Sequence, residues 1–276
     1  PAVLAKRFSS TCYAHPLQVY YSTSFHPTQL QCYKESWLSC MQEERIDMIK
    51  GLTEIEKYRV IRPLIGSCDF DGYDMPVIRK VSTDAVNWEN LQITGFKNLS
   101  SKRDNSSTLA HMFYYDKVLM PLWNNPLKRI PLFQTCAAIA TPDFSVYESM
   151  NMNEIRHNVY MSRWLGCTWQ NYGCQVIPTV GWAGQRTYDI CFSGLEKNTP
   201  VILSTLGCKD NADAFLSGFK ELKSRIDPPI IIVFGDMIEG MTGTFIHFRY
   251  CDAFASKNRQ LRMDIVSQII TIREVA

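Results

Sequence analysis

From residue 66 onward, short apolar segments alternate with segments of helical periodicity, and this alternation constrains the fold more than any other feature of the sequence. It is typical of consecutive strand–helix–strand units, whose strands pair in parallel. The predicted strands cover residues 75–79, 111–115, 136–141, 174–179, 201–205, 230–234 and 244–250, with 92–96 as a weaker candidate. We therefore predict an α/β fold with a mainly parallel sheet and crossover helices, TIM-barrel-like or an incomplete barrel; the alternative is an open doubly wound sheet.

Helix boundaries follow from capping residues. Ser145 with Glu148 and Asn151 with Glu154 have the spacing of capping boxes, so either pair can begin the helix that we expect to end at Gly166. A second helix is predicted between Asp210 and Asp227, and a short one within 188–194. Apolar residues among cations in 256–276 favour a helix packed on the sheet.

The first 65 residues differ from the rest of the chain. Residues 1–34 are rich in Ser, Thr, Gln, Tyr and His, and an amphipathic helical pattern follows. We predict an N-terminal arm and helical elaboration at 1–65 and an α/β domain at 66–276. The arm is either a surface for self-association or a poorly ordered terminus.

Overall charge and composition exclude several classes of protein. With 29 basic and 27 acidic residues the net charge is only +2, so no whole-molecule field attracts nucleic acid or an anionic membrane. A local patch of Lys102, Arg103, Arg156 and Arg163 leaves nucleic-acid binding open. No apolar run is long enough to cross a membrane, and the ten cysteines contain no C-x2-C pair. We expect a cytoplasmic protein with reduced, structural thiols and no membrane partner.

Polar residues follow several of the predicted strands, where the loops of a parallel sheet converge on one face. Asp116, Asp143 and Asp236 are candidate catalytic carboxylates, since burial or mutual repulsion within a pair separates an acid from a base. Each of them is alternatively a helix cap or turn residue.

Several residues near the same strand ends are candidate substrate-binding groups: Ser145, Tyr147, Thr179, Trp182 and Ser204. Ser145 is a nucleophile or hydrogen-bond donor unless its capping role accounts for it. Trp182 and Tyr147 offer a stacking surface, with core packing as the alternative. We name no metal-ligand residue, and the sequence leaves the cofactor unknown. A His–carboxylate site using His111, Asp116 or His247 is the alternative to ordinary strand histidines.

Four motifs in order resemble a family of bacterial and phage proteins. They are 140–147 (ATPDFSVY), 169–173 (WQNYG), 176–182 (VIPTVGW) and 193–195 (SGL) leading into 201–207, and together they resemble the domain of unknown function 4417 over about residues 66–250. The resemblance implies a phage or mobile-element setting, with the protein in a bacterial host or associated with a virion, and no transferable activity. It draws attention to Gln170, besides Asp143, Ser145, Tyr147, Thr179 and Trp182, as a candidate binding residue.

Two functions follow from these observations. The first is an enzyme that applies acid–base chemistry with Asp143 and Asp116 to a nucleotide, sugar or similar polar small molecule stacked on Trp182. The second is a non-catalytic structural or interaction protein that assembles through residues 1–34 and the C-terminal tail. The sequence leaves open which of the two is correct.

Overall fold

The computed structural model describes Arg62, residues 66–249 and a strand at 268–272, and it confirms the α/β class. One sheet contains β1 (Gln92–Gly95), β2 (Thr108–His111), β3 (Ala138–Ala140) and β4 (Val176–Ile177), all paired in parallel. The other contains β5 (Val201–Ser204), β6 (Ile231–Phe234), β7 (Gly243–Phe248) and β8 (Gln268–Ile272). Strands β5 to β7 are parallel, and β8 runs antiparallel to β7.

Hydrogen bonds just beyond β4 join the two sheets. Ile202 N donates to Pro178 O at 3.0 Å and Val180 N donates to Ile202 O at 2.9 Å, which is a parallel contact between Thr179 and β5. Strands β1 to β7 therefore follow one another in sequence order and in one direction. Among the described strands no ladder joins β1 to β7 or β8, so the arrangement is open and does not close into a barrel.

Five α-helices occur in the described ranges: α1 (Asp116–Asn124), α2 (Ile130–Phe133), α3 (Met152–Asn171), α4 (Tyr188–Cys191) and α5 (Ala212–Arg225). The second predicted start of α3 is confirmed, because Asn151 and Glu154 form both halves of a capping box. The start at Ser145 is wrong. The predicted end at Gly166 is also wrong, since Gly166 lies inside α3, where an added Cβ would be 2.7 Å from Ile78 Cδ1. None of the described helices is both long and apolar enough to cross a membrane.

Three predicted elements differ from the structure. The strand predicted at 111–115 ends at His111, because Asp116 begins α1 only a few residues later. The strand predicted at 75–79 is reduced to isolated bridges at Pro76 and Ile78. The helix predicted in 256–276 is wrong over 268–272, where the chain forms β8 and its apolar residues pair with β7. The predicted domain of residues 1–65 lies outside the described residues, apart from Arg62.

The strands alternate between two buried faces. One face supplies a single apolar cluster from both sheets, with Leu109, Ala138, Ile177, Ile202, Ile232 and Ile246. The opposite face of the first sheet packs on α1 and α3, and that of the second sheet packs on α5. Within the shared cluster Phe234 of β6 stacks on His111 of β2, with ring centroids 4.8 Å apart, and on Phe113, at 4.9 Å. The carboxyl ends of β2 and β6 are thereby held together.

Candidate functional site

A cavity of about 540 Å³ lies at the carboxyl ends of four consecutive strands. The segments that follow β2, β3, β4 and β5 all contribute to its lining, through Tyr114, Asp143, Thr179 and Leu206 respectively. Residues of α3 form a further part of the wall. Because parallel strands direct their carboxyl ends to one edge, four separate sequence segments meet at this cavity.

Asp143 is the acidic residue that lines the cavity. Its backbone N donates to Met112 O at 3.4 Å, which fixes the loop after β3 beside the loop after β2. Burial, and in smaller part the negative charge of Asp116, raise the pKa of the Asp143 carboxyl to about 7. A carboxyl with this pKa is present in both protonation states at neutral pH, so it can either donate or accept a proton.

Asp116 holds the loop that carries Asp143. At the first turn of α1, its Oδ1 accepts hydrogen bonds from Ser145 N at 3.0 Å and from Ser145 Oγ at 3.1 Å. Asn158 of α3 donates from Nδ2 to Ser145 O at 2.7 Å. Ser145 is therefore anchored from two helices and lines the cavity, and it does not begin a helix.

Arg163 of α3 is a buried cation in the cavity wall, with only 2% of its surface exposed. Its guanidinium donates to three backbone carbonyls: Thr179 at 3.1 Å, Cys191 at 2.8 Å and Ser193 at 3.0 Å. Burial lowers its pKa to about 10, so it stays charged at neutral pH. The predicted basic patch of Lys102, Arg103, Arg156 and Arg163 is wrong for Arg163. Its side chain is buried and binds backbone carbonyls of this chain, so it does not contribute to a basic surface.

Aromatic side chains surround the opening. Tyr115 and Tyr147 are 81% and 62% exposed, and together with Leu206 they are three of the most exposed large apolar side chains in the described ranges. All three line the cavity. Trp182 is half-buried and packs against Phe192 and Phe215, with ring centroids 5.7 and 5.2 Å away. Its indole occupies the space over Gly218 of α5, where an added Cβ would lie 2.1 Å from Nε1.

A second chamber of about 360 Å³ adjoins the first. The two share Tyr147, Gly181, Trp182 and Ser204 among their lining residues. Glu148 and Asn211 belong to the second chamber alone. Trp182 therefore has contacts with both chambers, and the cleft as a whole extends from the loop after β2 to the start of α5.

The structure brings together most of the predicted site residues. Six of them line the cavity: Asp143, Ser145, Tyr147, Thr179, Trp182 and Ser204. Asp116 is not in the lining, but it accepts a hydrogen bond from the lining residue Ser145. Gln170 does not belong to it: its amide pairs with Arg79 N and O at 2.9 and 2.7 Å, near the other end of α3. Asp236 is also outside the lining, where it forms an exposed ion pair with Lys209 at 2.5 Å.

Asn158, Ser162 and Tyr115 line the cavity and were not predicted. Asn158 and Ser162 are four residues apart on α3, so they lie on one face of the helix with Arg163 beside them. Asn158 and Ser162 flank the apolar residues 159–161, and polar residues at this spacing are the signal that could have found them. Tyr115 had no such signal, because its exposure depends on where α1 begins.

No three His, Cys, Asp or Glu side chains form a potential metal site anywhere in the described part of the chain. Burial lowers the pKa of His111 to about 3, so this histidine is neutral within the apolar cluster. His247 contacts Gly235 O at 2.6 Å through its Nε2. The two strand histidines therefore have packing and hydrogen-bonding roles in the sheet.

Comparison with known proteins identifies relatives in phages. The chain is 33% identical to the Gene 1 protein of Mycobacterium phage D29 over 150 residues, which are 53% of this chain and 52% of that protein. It is 33% identical to the Gene 1 protein of Mycobacterium phage L5 over 130 residues, 46% of this chain and 57% of that protein. The match thus spans about half the length of these curated relatives. No solved structure matches the chain.

The family described as Domain of unknown function (DUF4417) matches residues 71–252, a range that contains every residue of the cavity lining. The match covers well over half of the chain. It confirms the resemblance drawn from the four motifs, and the chain belongs to the DUF4417 family.

Proposed function

We propose that this phage-related protein is an enzyme that moves a proton to or from a polar small molecule in the cavity, with Asp143 as the acid or base. The observation that carries the proposal is the carboxyl of Asp143, whose pKa is raised to about 7 inside a cavity at the strand ends. Perturbed carboxyls in clefts are enriched at catalytic sites. A group that titrates near neutral pH is well matched to general acid–base catalysis.

Asp116 and Ser145 act as positioning residues in this proposal. Asp116 contributes a negative charge that disfavours the ionised form of Asp143, and it fixes Ser145 through two hydrogen bonds. The Ser145 hydroxyl retains lone pairs that can accept a hydrogen bond from a ligand hydroxyl or amine. Ser145 therefore orients a polar group of the ligand beside the Asp143 carboxyl.

The opening indicates which ligands fit. A cavity of about 540 Å³ accommodates a molecule the size of a nucleoside or a short sugar. The exposed rings of Tyr115 and Tyr147 leave apolar surface in water, which a planar ring of a ligand would cover. We therefore propose a nucleotide, nucleoside or sugar as the substrate class, with the polar part toward Asp143 and Ser145.

The proposal is tested with a panel of nucleosides, nucleotides and monosaccharides. Compounds that raise the melting temperature of the full chain are incubated with it, and products are identified by mass spectrometry. We expect turnover by the unmodified chain, and a loss of at least about 100-fold in Asp143→Asn with binding retained. Asp236→Asn is the matched control, because Asp236 lies outside the cavity lining and should not change turnover.

Two outcomes would contradict the proposal. One is equal turnover by the unmodified chain and Asp143→Asn, which would remove Asp143 from the chemistry. The other is that no compound binds. The alternative role in assembly concerns residues 1–34 and a tail that lies mostly outside the described residues, and it stays a prediction to be tested by light scattering of the full chain with and without the arm.

A further inference from the structure

Two thiols far apart in the sequence approach the same backbone oxygen. Cys167 Sγ, in the middle of α3, lies 3.1 Å from Val77 O, and Cys68 Sγ lies 3.7 Å from that same atom. The shared oxygen makes the two sulfurs neighbours in the fold. Both are reduced in the structure. This juxtaposition is independent of the cleft, because neither thiol lines it.

Specific contacts bring the segment that carries Cys68 onto α3. Val77 N donates to Asp69 O at 2.8 Å, so residues 69–77 fold back on themselves. Gly166 lets Ile78 approach the helix closely, and Gln170 holds Arg79 by two hydrogen bonds. Cys167 lies between these two anchoring positions of α3. The meeting of the two thiols is therefore fixed by the fold on both sides.

The two cysteines differ in accessibility. Both line a small cavity of about 50 Å³ together with Ser67, Asp69, Arg79 and Asn171. Cys68 is partly exposed, whereas Cys167 is buried. Burial, and the neighbouring Cys68, raise the pKa of the Cys167 thiol. Cys68 is thus the thiol that an external reagent reaches first, and Cys167 is positioned to react second.

We propose that Cys68 and Cys167 are an oxidisable pair that forms a reversible disulfide with a low-molecular-weight disulfide as the oxidant. The Cys68 thiolate attacks one sulfur of the oxidant, forming a mixed disulfide and releasing one small thiolate. The Cys167 thiolate then attacks the Cys68 sulfur and releases the second small thiolate. Two protein thiols are oxidised, one small disulfide is reduced to two thiols, and the two protons from the protein are taken up by the departing thiolates.

The bond would join the segment 66–79 to α3 covalently. That helix also carries Asn158 and Arg163 of the cleft. The disulfide would close a long loop from Cys68 to Cys167, which strongly restricts the unfolded chain. The oxidised form should therefore melt at a higher temperature than the reduced form. A thiol pair of this kind would make the stability of the domain depend on the redox state of its surroundings.

The test uses the full chain, reduced and then exposed to glutathione disulfide. Remaining thiols are blocked with N-ethylmaleimide, and peptides are mapped by mass spectrometry without reduction. We expect a linked peptide that contains Cys68 and Cys167 and that disappears on reduction. In Cys167→Ser the second step is lost, so Cys68 should instead carry glutathione in most chains. Cys136→Ser, which removes a half-buried thiol outside this pair, is the control and should leave the linked peptide unchanged.

The unmodified chain alone can overturn the proposal, so a folding defect in a variant does not affect the test. If Cys68 in that chain accumulates glutathione as it does in Cys167→Ser, the second thiol cannot reach the first. If both cysteines are recovered with N-ethylmaleimide after the oxidant has modified exposed thiols elsewhere, the pair is not oxidisable. Either result would show that the two side chains are only packing neighbours.

Discussion

At the scale of single residues, Asp143 and Asp236 show how one residue type acquires opposite properties. Both follow a strand of the parallel sheet. The pKa of Asp143 is raised by burial and by Asp116, whereas that of exposed Asp236 is lowered by its hydrogen bond and ion pair with Lys209. A carboxyl in the first environment exchanges a proton near neutral pH. One in the second remains ionised and serves as an ordinary surface anion.

Substitution of Asp143 should change how stability depends on pH. The folded-state pKa of about 7 lies above the ordinary value of 3.8, so the folded chain binds the extra proton and ionisation costs stability. The stabilisation from binding this proton is fully present below pH 3.8 and is lost as the pH rises through about 7. Asp143→Asn should therefore gain on the order of 2–4 kcal/mol relative to the unmodified chain between pH 4 and pH 8. Urea denaturation at several pH values measures it.

Asp236→Asn provides the comparison of opposite sign. The folded-state pKa of Asp236 is lowered, so folding favours its ionised form. Relative to the unmodified chain, Asp236→Asn should therefore lose rather than gain stability as the pH rises from acid to neutral.

For Asp143→Asn, a difference in stability from the unmodified chain that does not change with pH would contradict the prediction. It would show that the Asp143 carboxyl titrates as it does in the unfolded chain.

The sequence predicted where Asp143, Ser145 and Trp182 lie along the chain, because a strand end followed by polar residues is a local pattern. It could not predict burial, which depends on segments after β2, β4 and β5 meeting at one edge. Asp236 illustrates the limit. Its strand β6 was predicted correctly, but its carboxylate pairs with Lys209 from the preceding crossover, and no local pattern specifies that pair.

At the scale of elements, α3 organises the site. One of its side chains, Arg163, connects the end of β4 to the end of α4 and the residues after it, through Thr179, Cys191 and Ser193. Each of the three guanidinium nitrogens donates to a carbonyl, and losing any of these hydrogen bonds is costly because an unpaired polar group in the interior carries a desolvation cost. The Arg163 guanidinium therefore links the end of α4 to the end of β4, in addition to the apolar packing of Ile190 and Cys191.

Arg163→Lys should be strongly destabilising despite conserving the charge. An ammonium cannot reach three carbonyls in the fixed geometry of a guanidinium, so at least one acceptor loses its partner. We expect a loss of about 2–4 kcal/mol in the free energy of unfolding, measured by chemical denaturation. Arg156→Lys, on the exposed face of the same helix, is the matched control and should change stability by less than about 0.5 kcal/mol. Equal small effects would show that the three hydrogen bonds contribute little.

The start of α3 was predictable because Asn151 and Glu154 cap it through neighbouring residues. Its end was not. Glycine commonly terminates helices, but Gly166 is required here by the side chains of Ile78 and Thr141, which lie where a Cβ would be. The tail shows the same limit, because the apolar residues of 268–272 suit a helix face or a strand, and only pairing with β7 decides between them.

At the scale of the whole molecule, the two sheets share one apolar cluster and act as one structure. The stacking of Phe234 on Phe113 and His111 connects β6 to the end of β2, two strands far apart in the sheet order. The parallel α/β class was predictable from strand and helix alternation. Whether the strands close was not, because closure depends on the pairing of the first and last strands.

The connection predicts energetic coupling between the sheets. Phe113→Ala and Phe234→Ala should each lower the free energy of unfolding by about 3–5 kcal/mol. The loss in the double variant should be about 0.5–1.5 kcal/mol smaller than the sum of the two single losses, because each single substitution already removes the contact between the rings. Equilibrium unfolding of the four chains gives this coupling. Phe113 and Phe219 form the control pair, since Phe219 packs in the α5 cluster and their effects should add. Additive effects for Phe113 and Phe234 would show that the sheets are energetically independent.

The monotonic order of β1 to β7 bears on how the chain acquires its structure during translation. Each strand from β2 to β7 pairs with the strand synthesised just before it. The sheet can therefore extend in the direction of synthesis, because no strand in this series depends on a segment that is synthesised later. The first chamber becomes complete only when the loop after β5 has emerged, and the second also needs the start of α5. A chain arrested before residue 204 would therefore contain Asp143 and Arg163 but lack Ser204 and Leu206, the part of the wall that follows β5.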